Sequence, residues 1–120
     1  MNDLAARFPE GIQGFEAPAK GHYHEGKQPG DQTHYGDAAT LLLDTVAARG
    51  RFDEVFFGTA FGHFFGSPAC RSYKDQATRE TLAKLAVKPN DFQNGAADDQ
   101  PGTVSRLAPV LAAHLGNADA

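Results

Sequence analysis

Tryptophan is absent from this 120-residue chain, and cysteine and methionine occur once each. A lone thiol, Cys70, excludes an internal disulfide and a cysteine-rich zinc site, and fits a reducing cytoplasm. Positive charge is also scarce: 11 Lys and Arg face 15 Asp and Glu, for a net charge of -4. A general nucleic-acid binder is disfavoured, because no surplus of cations can displace counterions from phosphates. No apolar stretch approaches the roughly 18 residues of a membrane-spanning helix, so no membrane partner is expected. The opening MNDLAARFPEG has no cationic segment followed by an apolar one, so no signal peptide is expected. Phosphate-cradling GxGxxG and GxxxxGK[ST] loops are missing too.

What is present is unevenly placed. Six of the nine Phe fall between Phe52 and Phe65, while Gly11, Gly14, Gly21, Gly26, Gly30 and Gly36, with Pro9, Pro18 and Pro29, interrupt the opening segment. Residues 1–36 therefore read as irregular and residues 37–120 as the helical part. Ala39, Leu42, Leu43 and Val46 predict one face of a helix over 37–49, with Leu41 broadening the face and Gly50 closing the helix. Asp53 predicts the cap of a second helix, to about Gly66. Phe52 and Phe57 would clasp its start, and Phe57, Phe61 and Phe64 would be buried against Leu42, Leu43 or Val46. Gly58 and Gly62 mark a side where a neighbouring backbone could come close. A third helix is expected over about 72–86 with a thin stripe of Leu82, Leu85 and Ala86, ended by Pro89. A fourth follows Asp98 or Asp99 and ends at Gly116, broken or kinked by Pro109, with a frayed NADA tail. No segment alternates with period two, so the fold class is all-α. The first two helices carry more apolar surface than the third can cover, which implies self-association or the missing remainder of a longer chain.

Several side chains could carry chemistry. His22, His24 and His34 could hold zinc as neutral imidazoles, or could be solvated loop histidines. Asp37 could cap its helix or face a metal or a ribose hydroxyl. Asp98 and Asp99 could supply oxygens to a hard cation or complement a helix N-terminus. Arg106 could grip a phosphate or carboxylate, or lie on the surface. Cys70 has only Arg71 beside it, which does not make a nucleophile.

The order of the segments THYGDAATLLLDTVAARGRFDE, FGHFFGSPACRSYKDQATRETLAKLA and GAADDQPGTVSRLAPVLAAHLG resembles the ADP-ribosylglycohydrolase superfamily. The branch it resembles is that of J1-crystallin and selenoprotein J. The Tyr-x-Asp-x-Ala-Thr helix start is matched by Tyr73, Asp75, Ala77 and Thr78. The Asn-Gly-x-x-Met-Arg-x-x-Pro helix is matched by Gly102, Arg106 and Pro109, with Pro101 and Ser105 replacing its Asn and Met. HEGKQPGDQ also resembles the segment that precedes the YGD turn, and the likeness extends over about residues 8–116.

The resemblance implies an all-α ADP-ribosylglycohydrolase-like fold, here an internal portion of it. It implies a pair of Mg²⁺ ions as cofactor and hydrolysis of the glycosidic bond of an ADP-ribosylated small molecule or protein. Of the family's Thr-Asp-Asp-Thr metal motif, aligned with Tyr35-Gly36-Asp37-Ala38, only Asp37 is kept. The late Asp motif of the family has no counterpart in the chain. Asp37 is thus the metal ligand the resemblance implies, with Gly102, Arg106, Asp98 and Asp99 at the ligand cleft and no catalytic residue assigned. The chain alone is expected to be inactive. The alternatives are a non-catalytic structural or partner-binding protein of this fold, and a small histidine-rich zinc protein.

Overall fold

The computed structural model describes residues 2–117. They form five α-helices and one 3₁₀ turn, with no strand among the described residues, so the protein is all-α. The chain divides into two compact units, Met1–Asp31 and Gln32–Ala120. The division falls five residues before the boundary expected from glycine and proline content.

The first unit contains a short helix, α1 (Asn2–Arg7), inside the segment expected to be irregular. The rest of this unit is a series of turns. The Gly21 N–H donates to Glu25 Oε2 at 2.7 Å, and the Gln28 N–H donates to Asp31 Oδ2 at 2.8 Å. Local carboxylates satisfying turn donors are what an Asp/Glu- and glycine-rich segment offers the backbone in place of a helix.

In the second unit, α2 spans His34–Arg49 and starts three residues before the expected Asp37. The Asp37 N–H donates to the Thr33 carbonyl at 2.9 Å, closing the first turn across Gly36. The Gln32 side chain lies over Gly36, and a Cβ there would stand 2.9 Å from Gln32 Cβ, so this turn suits a residue without a side chain. Gly50 ends the helix in the left-handed region, with φ 71°. The buried face is His34, Ala38, Leu42, Thr45 and Val46, rotated by about one residue from the expected stripe, and Leu43 is 52% exposed. The rotation follows from two sets of neighbours, since α2 packs on α3 and also on the C-terminal elements.

Asp53 caps α3 (Glu54–Gly66), taking the Phe56 N–H at 2.9 Å, and the Phe52 and Phe57 rings clasp the start at 6.3 Å. The core-facing rings are Phe57, Phe61 and Phe65, with successive centroids 6.0 and 4.7 Å apart. Phe65 is 1% exposed and packs with Ala38 and Phe61, backed by Leu41, Cys70 and Leu82. The expectation for Phe64 is corrected: it is 39% exposed, with its ring edge against Phe65. The i, i+4, i+8 series placed the aromatic stripe one position further round the helix than i, i+4, i+7 did. The glycines of α3 are approached by side chains rather than backbone, Phe92 at Gly58 and Leu85 at Gly62.

The third core helix, α4 (Gln76–Val87), starts four residues later than expected because Asp75 is its cap, accepting from the Thr78 N–H at 2.8 Å. The following loop is tied along α4: Lys84 Nζ donates to the Gly95 carbonyl at 2.7 Å, and the Ala96 N–H donates to Thr81 Oγ1 at 3.2 Å. The fourth expected helix is divided into a 3₁₀ turn, Pro101–Arg106, and α5, Leu107–Ala113. Pro109 cannot donate to the Ser105 carbonyl and its ring crowds that group, so the geometry changes in the intervening turn. Helix α5 stops at Ala113, before Gly116, and His114 Nε2 accepts from the Phe52 N–H at 3.2 Å. The final residues, 118–120, where fraying is expected, lie outside the described residues.

Candidate functional site

The start of α2, the turn before α4 and the 3₁₀ turn meet, and they carry His34, Asp37 and Arg106 of the polar residues singled out in the sequence. Ser72, buried before α4, donates its hydroxyl to Asp37 Oδ2 in the first turn of α2. One turn earlier on α2, His34 is 6% exposed, and its Nε2 lies 3.5 Å from Asp75 Oδ2. The His34 ring also contacts Tyr35 and meets the edge of Tyr73 at 5.4 Å between centroids. Gly102 is placed by this junction. A Cβ there would come within 2.9 Å of Tyr35 Cε1, so the 3₁₀ turn can rest on the tyrosine ring only without a side chain at 102.

Asp75 is the electrostatic centre of the junction. Burial pushes its carboxyl up, but the Thr78 hydroxyl and N–H outweigh that, with His34 and Arg106 adding, and the group is held below the usual carboxylate range. Asp75 was legible as a helix start, yet its role as hub was not. The missed signal is the combination of a cap aspartate with Thr78 three residues on and a histidine at an α2 position one turn from Asp37.

Arg106 lines two adjoining cavities. One, about 200 Å³, is polar and is bounded by Thr78, Thr81 and Asp98. The other, about 370 Å³, is walled by Phe57, Leu85 and Phe92. Asp98 is exposed and its Oδ1 accepts from the Gln100 N–H at 3.2 Å, while Asp99 is exposed and lines neither cavity. The structure therefore brings Gly102 and Arg106 to the junction, keeps Asp98 at a cavity rim, and leaves Asp99 on the surface.

A magnesium pair sets strict demands on its donor set. Mg²⁺ demands near-octahedral oxygen coordination and gives up its waters reluctantly. Asp37 offers one carboxylate that already accepts from Ser72, and the nearby His34 offers nitrogen rather than oxygen. Among the described residues no three His, Cys, Asp or Glu side chains converge to hold a metal ion. These residues do not fit a magnesium pair. Of the three histidines read as zinc ligands, His22 and His24 belong to the first unit, with rings 5.5 Å apart, and His34 belongs to the second.

No helix among the described residues is long and apolar enough to cross a membrane. Comparison with protein families, with curated proteins and with solved structures found no match to this chain.

Proposed function

We propose that this chain is a non-catalytic, ligand-binding member of the ADP-ribosylglycohydrolase-like helical class, with its ligand cleft at the junction of α2, α4 and the 3₁₀ turn. The observation that carries this reading is the commitment of Asp37. Its carboxylate accepts the Ser72 hydroxyl beside the His34–Asp75 pair, which makes it part of a structural polar cluster rather than an open metal ligand. Gly102 and Arg106, two more of the positions matched by the resemblance, lie against the same junction. The family reaction, Mg²⁺-assisted release of ADP-ribose, needs several carboxylates to fix the ions and orient water. This chain is expected not to perform it alone.

The test is turnover of ADP-ribosyl-arginine in millimolar Mg²⁺, comparing the chain with Asp37→Asn. No hydrolysis by either protein is the expected outcome. Hydrolysis by the parent that vanishes in the variant would overturn the reading and make Asp37 catalytic. Binding of ADP-ribose, followed by calorimetry, checks the ligand-cleft half of the proposal separately.

A further inference from the structure

The Arg106 side chain is half-buried, and its Nε is shut off from solvent with no hydrogen-bond partner. A charged donor withdrawn from water without an acceptor is costly, and such groups are ordinarily matched by a carboxylate, phosphate or carbonyl. Asp75 is close enough to feel its charge but is occupied by Thr78 and His34. A second donor faces the same polar cavity. Thr81 Oγ1 accepts from the Ala96 N–H, which leaves its own hydrogen available. Asp98 is the acid at this cavity, and it sits exposed at the rim with Oδ1 engaged by Gln100.

The neighbouring cavity is mainly apolar, with the carboxylates of Glu54 and Asp91 also in its lining. Phe57, Phe92 and Leu85 wall it, and it shares Phe61, Thr81 and Arg106 with the polar one. The polar cavity of about 200 Å³ holds roughly seven waters at about 30 Å³ each, enough for an anionic head and too little for a nucleotide. A mainly apolar chamber of about 370 Å³ beside it is more than twice the roughly 150 Å³ that houses a benzene, so it admits an aromatic ring with room to spare.

We propose that the two cavities together bind a small organic anion, its carboxylate or phosphate held by Arg106 and Thr81 and its ring-sized apolar body seated among Phe57, Phe61 and Phe92. This rests on the reading of Arg106 as a ligand-facing residue and assigns it a ligand chemistry of its own.

The experiment follows amide chemical shifts of the full chain during titration with phenyl phosphate, phenylacetate, inorganic phosphate and ADP-ribose. Saturable shifts at Gly95, Ala96 and Thr103 with either aryl anion are expected, and the stronger of the two identifies the head group. Inorganic phosphate should bind at least about tenfold more weakly, because it leaves the aromatic chamber unfilled. Arg106→Gln should weaken the aryl anion about tenfold or more while distant shifts stay in place. Thr81→Val supplies a second variant with a smaller loss. No saturable shift with either aryl anion, or equal affinity for inorganic phosphate, overturns the proposal, as does undiminished binding in both variants. Binding of ADP-ribose without binding of an aryl anion overturns it and leaves the ligand-cleft reading standing. Binding of an aryl anion without ADP-ribose supports it and removes ADP-ribose as the ligand.

Discussion

Asp75 shows how one side chain can serve local and tertiary structure together. Its Oδ1 takes the Thr78 N–H that α4 would otherwise leave without an acceptor, and Oδ2 faces the buried His34. Asp75→Ala is expected to cost about 1 kcal/mol for the lost cap alone, read from denaturant unfolding. Because the folded carboxyl is held below its ordinary value, the proton binds the unfolded chain more readily. Its stabilisation is therefore complete above the unfolded pKa and is lost as pH falls through the folded one. Asp75→Asn should keep the capping acceptor and flatten the part of the acid-side decline that this carboxylate causes. Unfolding midpoints measured from neutral pH down to about pH 3 check this, and an unchanged slope would assign the decline to other carboxylates. Asp53 and Glu80 will contribute their own share. The Phe56 N–H and then Arg49 hold Asp53 low, against some burial, and Lys84 and then the Ala97 N–H hold Glu80 low.

Among the elements, α3 has the sharpest constraint. Gly58 lies in the helix interior, where alanine would ordinarily add about 1 kcal/mol of helix propensity. Here a Cβ would stand 2.1 Å from Phe92 Cδ1, so the loop ring must leave its seat. Gly58→Ala is expected to destabilise the protein, whereas the same change made on top of Phe92→Ala should stabilise it by up to about 1 kcal/mol. A double-mutant cycle in denaturant reads that reversal of sign; additivity would mean that Phe92 does not press on α3. The same helix separates adjacent phenylalanines. Phe65→Ala should cost about 3–5 kcal/mol, being fully enclosed, and Phe64→Ala under about 1 kcal/mol. Similar losses at the two sites would reverse the assignment of the buried face.

At the scale of the whole molecule the core is small. Among the described residues Ala38, Leu42, Val46, Phe61 and Phe65 are the buried apolar ones, while Leu43, Val55, Phe56, Val104 and Leu111 remain exposed. Few buried apolar groups leave a narrow stability margin, so the loss at Phe65 should be close to the total and should lower the unfolding temperature by well over 10 °C, at roughly 4–8 °C per kcal/mol for a domain of this size. Calorimetry of the Phe65→Ala chain checks it. The exposed apolar residues agree with the excess of apolar helix surface read from the sequence. Ligand binding at the Arg106 cavities should raise the unfolding temperature with concentration, because a ligand that prefers the folded state stabilises it by mass action.

Local rules were enough to determine the helical class, the Asp53 cap with its Phe52–Phe57 clasp, the left-handed Gly50 and the break ahead of Pro109. Each of these depends on residues within a turn of one another, where φ limits, missing donors and side-chain capping act without long-range contacts. Which of Phe64 and Phe65 is buried depended on where α2 lies, and the buried face of α2 depended in turn on α3 and α5 packing from different sides. The junction of Asp37 with Ser72 and of His34 with Asp75 joins residues roughly forty positions apart in the chain. Periodicity reports which residues share a helix face but not which face meets which neighbour. That choice was made by tertiary packing, and it set Asp37 against a hydroxyl and left Arg106 facing two cavities.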